Sequence, residues 1–170
     1  DKKDQMKDAR KSMEDGKEIF SNGLKEYGYI LENYISIYKV FPVSRNDYRH
    51  AGDIYFKEAR PLLLKAQEFN PNNAVLNYML GVISFNLNPQ SEEAAKYLEK
   101  AISLNGKIEP DAPYFLGWAL QFQLKWDDAI KYYQLYLTFL NTDPKTYALA
   151  IQDVNKKIAE CEIGKKETAN

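Results

Sequence analysis

An all-α fold of antiparallel helical hairpins is predicted by three features of this 170-residue chain. Ala59-x-x-x-Leu63-x-x-Ala66, Ala94-x-x-x-Leu98-x-x-Ala101 and Ala129-x-x-x-Tyr133-x-x-Tyr136 begin at 59, 94 and 129, a constant step of 35. Their i, i+4, i+7 spacing marks one face of an α-helix. Upstream of the last two stand Tyr78-Met79-Leu80-Gly81 and Tyr114-Phe115-Leu116-Gly117, so the repeating unit is a Leu-Gly helix followed by an alanine helix. Third, Asn, Ser and acidic residues stand where helices should start. Two helices of a hairpin approach closely only where a side chain is nearly absent, and Gly81, Gly117, Ala94 and Ala129 would provide that. Glycine inside a helix costs about 1 kcal/mol relative to alanine, so its recurrence points to packing.

Taken in order, residues 1–42 read as a degenerate first repeat, with Gly16 and Gly23 seven apart and then Tyr34, Ile37 and Pro42. Alternating charges from Asp1-Lys2-Lys3-Asp4 to Lys17-Glu18 suit a solvated helix or a frayed end. Residues 43–72 form an irregular repeat whose first helix, expected around 44–55, lacks the Leu-Gly pair. Its second helix carries Ala59, Leu63 and Ala66 and closes at Pro71, and Pro61 fits it only in a first turn. Asn72 or Asn73 is the N-cap that opens the repeat over 73–107. Glu92-Glu93 precede Ala94 there, and Asp127-Asp128 precede Ala129 in the repeat over 108–142, as the helix dipole favours.

Asp143-Pro144 reads as N-cap and N1 proline of a last helix over 144–162, inside a capping unit at 143–163. Ile151, Val154, Ile158 and Cys161 make its inward stripe, while Gln152, Asp153, Lys156, Lys157 and Glu160 face away, the polar outer face a terminal helix needs. Residues 164–170 read as a polar linker or tail, and a chain opening on Asp1 as a processed form or a piece. The whole is a single domain over 1–163 of roughly three and a half hairpins plus a cap.

Composition removes several function classes. Lys and Arg number 23 against 24 Asp and Glu, a net charge of −1, without the basic surplus that nucleic acid or an anionic membrane attracts. No apolar stretch approaches the ~20 residues that would insert into a bilayer. Cys161 is the only cysteine and His50 the only histidine, so a disulfide and the usual zinc sites are excluded. A Cys161–His50 dyad would require the chain ends to meet; Cys161 reads as a buried small hydrophobe and His50 as a surface or groove residue. Glu92-Glu93 and Asp127-Asp128 are explained by helix starts, and no Gly-x-Gly cradles a phosphate. The expectation is no enzyme, no metal and no cofactor. The surplus is aromatic, with 13 Tyr and 8 Phe.

Leu80-Gly81 with Ala94, Leu98 and Ala101, and Leu116-Gly117 with Ala129 and Tyr133, resemble the tetratricopeptide repeat (TPR), a helical hairpin of about 34 residues. The resemblance covers 59–142 best, and Pro61 departs from it. It implies a right-handed superhelix of hairpins whose first helices line a concave groove that takes peptides. Carried over residue by residue, the groove is Tyr78, Val82, Phe85 and Asn86, then Tyr114, Trp118, Gln121 and Phe122. Aromatic anchors there offer large contact area, unless neighbouring helices or the N-terminal segment cover them. Val82 and Trp118 stand where chaperone-tail binders have asparagines, so an anionic C-terminal tail is not the expected ligand.

Tyr114-Phe115-Leu116-Gly117-Trp118-Ala119, Trp126 to Tyr133, and Ile158 to Lys165 also resemble N-terminal TPR regions of Bacteroidetes envelope proteins that carry β-propeller and OmpA-like domains. That resemblance implies a periplasmic or outer-membrane-associated scaffold. The expected function is a non-enzymatic scaffold binding a protein or peptide partner, and the alternative is a binder of glycan or peptidoglycan fragments on stacked rings.

Overall fold

The structure, a computed structural model, describes residues 1–38 and 50–169. Among them are seven α-helices and no strand: α1 Lys2–Tyr38, α2 Asp53–Phe69, α3 Ala74–Leu87, α4 Glu92–Leu104, α5 Ala112–Phe122, α6 Trp126–Leu140 and α7 Ala148–Thr168. The fold is all-α. The pairs α1–α2, α3–α4 and α5–α6 pack as hairpins, each second helix touches the next first helix, and α7 closes against α6.

The hairpins close at the glycines. A methyl group placed on Gly81 would lie 2.5 Å from Leu98 Cγ, and one on Gly117 would lie 2.9 Å from Tyr133 Cδ1. Gly16 meets Leu63 and Gly23 meets Phe56 in the same way, each at 2.7 Å. These side chains, with Ala59, Ala94 and Ala129, are buried in one continuous core. The starts of α3 and α4 are capped as their sequence suggests. Asn73 Oδ1 accepts from Leu76 N at 2.9 Å and Ser91 Oγ accepts from Glu93 N at 3.2 Å.

Five expectations need correction. Residues 1–38 do not contain a hairpin of their own: α1 runs unbroken and pairs with α2, so Gly16 and Gly23 are two contact points on one helix, two turns apart. Repeats over 1–42 and 43–72 are thereby replaced by one long hairpin. Of the helix expected around 44–55, residues 39–49 lie outside the described residues, and α2 begins only at Asp53. Pro61 sits mid-helix in α2 rather than in a first turn. Its exposed position leaves the Lys57 carbonyl, deprived of the Pro61 donor, on the solvent side.

The last helix begins at Ala148, not Pro144, because residues 143–147 form turns in which Asp143 Oδ1 accepts from Thr146 N at 3.4 Å. Nor is 164–168 a linker, since α7 continues to Thr168. Gly164 packs on the Trp126 indole, Trp126 Nε1 donates to Thr168 Oγ1 at 2.9 Å, and Lys165 Nζ lies 2.7 Å from Asp127 Oδ1.

One glycine differs from those at the crossings. A methyl on Gly28, in α1, would meet nothing within 4 Å. Gly28→Ala is therefore expected to raise stability by about 0.5–1 kcal/mol through helix propensity. Gly81→Ala should lower it by about 1–3 kcal/mol through overpacking against Leu98. Urea unfolding of the two variants measures both.

Candidate functional site

The eight residues expected to line a groove do lie together on the facing first helices, Tyr78, Val82, Phe85 and Asn86 on α3 and Tyr114, Trp118, Gln121 and Phe122 on α5. They are not an open wall. Tyr78 is 4% exposed, Trp118 0% and Tyr114 8%; Val82, Phe85, Asn86 and Gln121 are also buried, and Phe122 is half-buried. The rings cover one another: Phe85 lies 4.9 Å from Trp118 and 5.8 Å from Phe122, and Tyr114 lies 5.5 Å from Trp118.

Helices α1, α6 and α7 add to the cover. From α1, Phe20 meets Tyr78 edge-on at 6.2 Å and Tyr27 meets Phe115 at 6.4 Å. From α7, Glu160 Oε2 accepts from Gln121 Nε2 at 3.1 Å, and from α6, Tyr133 Oη donates to Gln121 Oε1 at 2.6 Å.

The face of α7 expected to meet solvent supplies the most heavily charged part of this cover. Asp153 and Lys157 are buried, 5% and 9% exposed at the side chain, and pair at 2.8 Å. Tyr114 Oη donates to Asp153 Oδ2 at 3.0 Å, and the Lys157 ammonium rests 4.7 Å from the Trp118 ring centre and 5.6 Å from that of Tyr114. Hydrogen bonds and ring faces replace the water that both charges lose. An i, i+4 Asp-Lys pair looks the same in sequence whether solvated or buried, so the sequence does not mark its burial.

One repeat earlier a second tyrosine does the same. Tyr78, 36 residues before Tyr114, donates from Oη to Asp111 Oδ1 at 2.8 Å, and Asp111 is the N-cap residue of α5. Burial, then the Asp111 carboxylate, pushes the Tyr78 phenol well above its ordinary pKa. Desolvation raises Asp111 itself, and Glu109 adds to that, against the lowering effect of the Tyr78 hydrogen bond. Beside this pair is a cavity of about 180 Å³ lined by Lys17, Phe20, Ser21 and Leu24 of α1, Val75, Tyr78 and Met79 of α3, and Glu109 and Asp111. Among the described residues, the cover of the α3–α5 face is thus incomplete at this cleft.

His50 Nδ1 lies 2.7 Å from Asp53 Oδ2, exposed at the start of α2, whereas Cys161 is buried in α7. Glu92, Glu93, Asp127 and Asp128 occupy the first turns of α4 and α6. Among the described residues no group of three or more His, Cys, Asp or Glu is placed to hold a metal ion, and no helix is long and apolar enough to cross a membrane. No protein-family model matches this chain, and no curated protein is significantly similar to it.

Two outcomes follow from the buried polar groups. Lys157→Met strands the Asp153 carboxylate and should cost about 3–5 kcal/mol, and adding Asp153→Asn should recover part of that loss in denaturant unfolding. Tyr136, whose ring lies 5.2 Å from Tyr114, is pushed up to about 12 by burial, then by Asp111, Asp153 and Tyr147. The native state then holds this proton more tightly than the unfolded chain, so stability falls as pH rises from the ordinary tyrosine value of 10.0 through about 12. Unfolding midpoints of Tyr136→Phe should fall less steeply over that range than those of the parent chain.

Proposed function

We propose that this chain is a non-enzymatic protein-interaction module of TPR-like hairpins, which takes a peptide or partner domain along the face shared by α3 and α5. One observation carries the reading: α3–α4 and α5–α6 repeat the same construction, with Gly81 on Leu98 and Gly117 on Tyr133, and so set two equivalent tyrosines on one face. The partner enters at the uncovered end of that face, the cleft between α1, α3 and the start of α5, where apolar walls from Phe20, Leu24, Val75 and Met79 meet two carboxylates. Deeper rings such as Trp118 serve as the rigid floor rather than as contact surface.

The setting we propose is envelope assembly or secretion, in the periplasm or at the outer membrane; it rests on the resemblance of residues 114–119, 126–133 and 158–165 to envelope TPR regions. The glycan alternative requires open ring faces at Tyr78, Tyr114 and Trp118, and all three are buried.

Site-specific photo-cross-linking tests the reading. A benzoylphenylalanine at Leu24, inside the cleft, is expected to capture a discrete partner in cells at several times the yield of the same group at exposed Lys96 on α4. Equal yields at the two positions, or a hydrolytic or transfer activity that copurifies with the chain, would overturn it.

A further inference from the structure

The glycine crossings put the three hairpins in one register, so their side chains compare position by position. Leu63, Leu98 and Tyr133 face Gly16, Gly81 and Gly117. Three residues before each glycine stand Met13, Tyr78 and Tyr114; three after each facing residue stand Ala66, Ala101 and Tyr136. In the third hairpin both positions are rings, Tyr114 and Tyr136, 5.2 Å apart. Phe139 stacks on Tyr136 at 6.2 Å, and Tyr147, from the connector to α7, lies 5.4 Å from Phe139. The middle hairpin has one ring, Tyr78, and its connector returns Ile108 to the core. The first has neither ring. Met13 and Ala66 hold the two positions, and the connector Asn70-Pro71-Asn72-Asn73 returns no side chain to the core.

A cavity of about 370 Å³ lies at this place, lined by Met6, Arg10 and Met13 of α1, Ala66 and Phe69 of α2 and Leu76 of α3. Its volume falls within the range of about 300–1,000 Å³ usual for ligand clefts. Phe69 follows Leu63 by six residues, as Phe139 follows Tyr133. Phe139 is half-buried beside Tyr147, whereas Phe69 is 39% exposed and Met6 48% exposed. Two of the chain's three methionines line the cavity, and thioethers adapt their shape and make favourable contacts with aromatic rings. Arg10 is exposed and makes no ion pair among the described residues, unlike Arg60, Lys157 and Lys165. A free guanidinium beside an apolar cleft favours a carboxylate next to the group that fills it. We infer that this cleft receives an aromatic side chain of a partner peptide that carries an acidic residue beside the aromatic one. The partner's ring takes the place that Tyr136 and Tyr147 fill in the third hairpin, and its carboxylate meets Arg10. No residue lines both this cleft and the one between α1, α3 and the start of α5, so the inference goes beyond the docking reading and does not rest on it.

Methionine-methyl NMR of the whole chain tests it, because Met79 lines the other cleft and serves as the reference. Titration with N-acetyl-phenylalanyl-glutamate amide should give saturable shifts of the Met6 and Met13 methyls and leave Met79 in place. The leucyl-glutamate and phenylalanyl-lysine counterparts should bind about fivefold more weakly or worse. Arg10→Glu, a change at an exposed helix position, should abolish the preference for glutamate over lysine. Ala66→Tyr, which supplies the ring of the third hairpin from the chain itself, should fold and lose the binding. No saturable shift at Met6 and Met13, equal binding of the three compounds, or an unchanged preference in Arg10→Glu would each overturn the inference, as would a folded Ala66→Tyr that still binds. If Ala66→Tyr does not fold, Arg10→Glu decides. A saturable shift at Met79 alone would overturn the inference and place the compound in the cleft of the docking reading, while Leu24 cross-linking judges that reading separately.

Discussion

The architecture depends on how closely two helices can approach at a residue that has no side chain. At Gly81 the facing Leu98 occupies the space a methyl group would need, and Tyr133 does so at Gly117. Leu63 and Phe56 do the same along α1 at Gly16 and Gly23. A hairpin closed this way has one register, because sliding either helix by a turn would drive a large buried residue into another side chain. The position of Tyr78 on α3 and of Tyr114 on α5, three residues before each glycine, follows from that register.

From this the polar chemistry of the molecule is set. Each tyrosine hydroxyl reaches across to the following first helix, Tyr78 to Asp111 and Tyr114 to Asp153, so successive hairpins are tied through neutral-to-charged hydrogen bonds as well as through apolar contact. Arg60 and Glu93, 3.4 Å apart, connect the second helices α2 and α4 on the exposed side, where a pair of this kind contributes little. The buried ties matter more. Breaking the Tyr114–Asp153 bond removes a partner from a carboxylate only 5% exposed at the side chain.

The hairpins α3–α4 and α5–α6 were legible in the sequence because their signal is steric and periodic, a glycine facing a large residue at a constant step. The N-terminal part was harder. Gly16 and Gly23 carry the same steric message, but two glycines seven apart look alike whether they belong to two short helices or to one long one. The end of α7 was missed for a different reason. Residues 164–168 are polar and aperiodic, and the helix persists because Trp126, 42 residues before Thr168, gives it something to pack on. Tertiary contact of that range leaves no local trace.

The helices that carry the eight expected groove residues were legible in the sequence, and the burial of those residues was not. The eight groove residues were placed on the correct helices, yet no property of Tyr78 or Trp118 alone says that Phe20 covers one and Lys157 the other. Asp111, Asp153 and Lys157 carry no sequence mark of their places, because a charged residue reads as solvated until a buried partner is seen.

A double-mutant cycle on Gly81 and Leu98 tests the steric constraint at the root of this account most directly. If the glycine is there to admit Leu98, Gly81→Ala should cost much less in a Leu98→Ala background, with a coupling of about 1 kcal/mol or more in denaturant unfolding. Additivity within about 0.5 kcal/mol would mean that the two residues do not meet as described, and would contradict it.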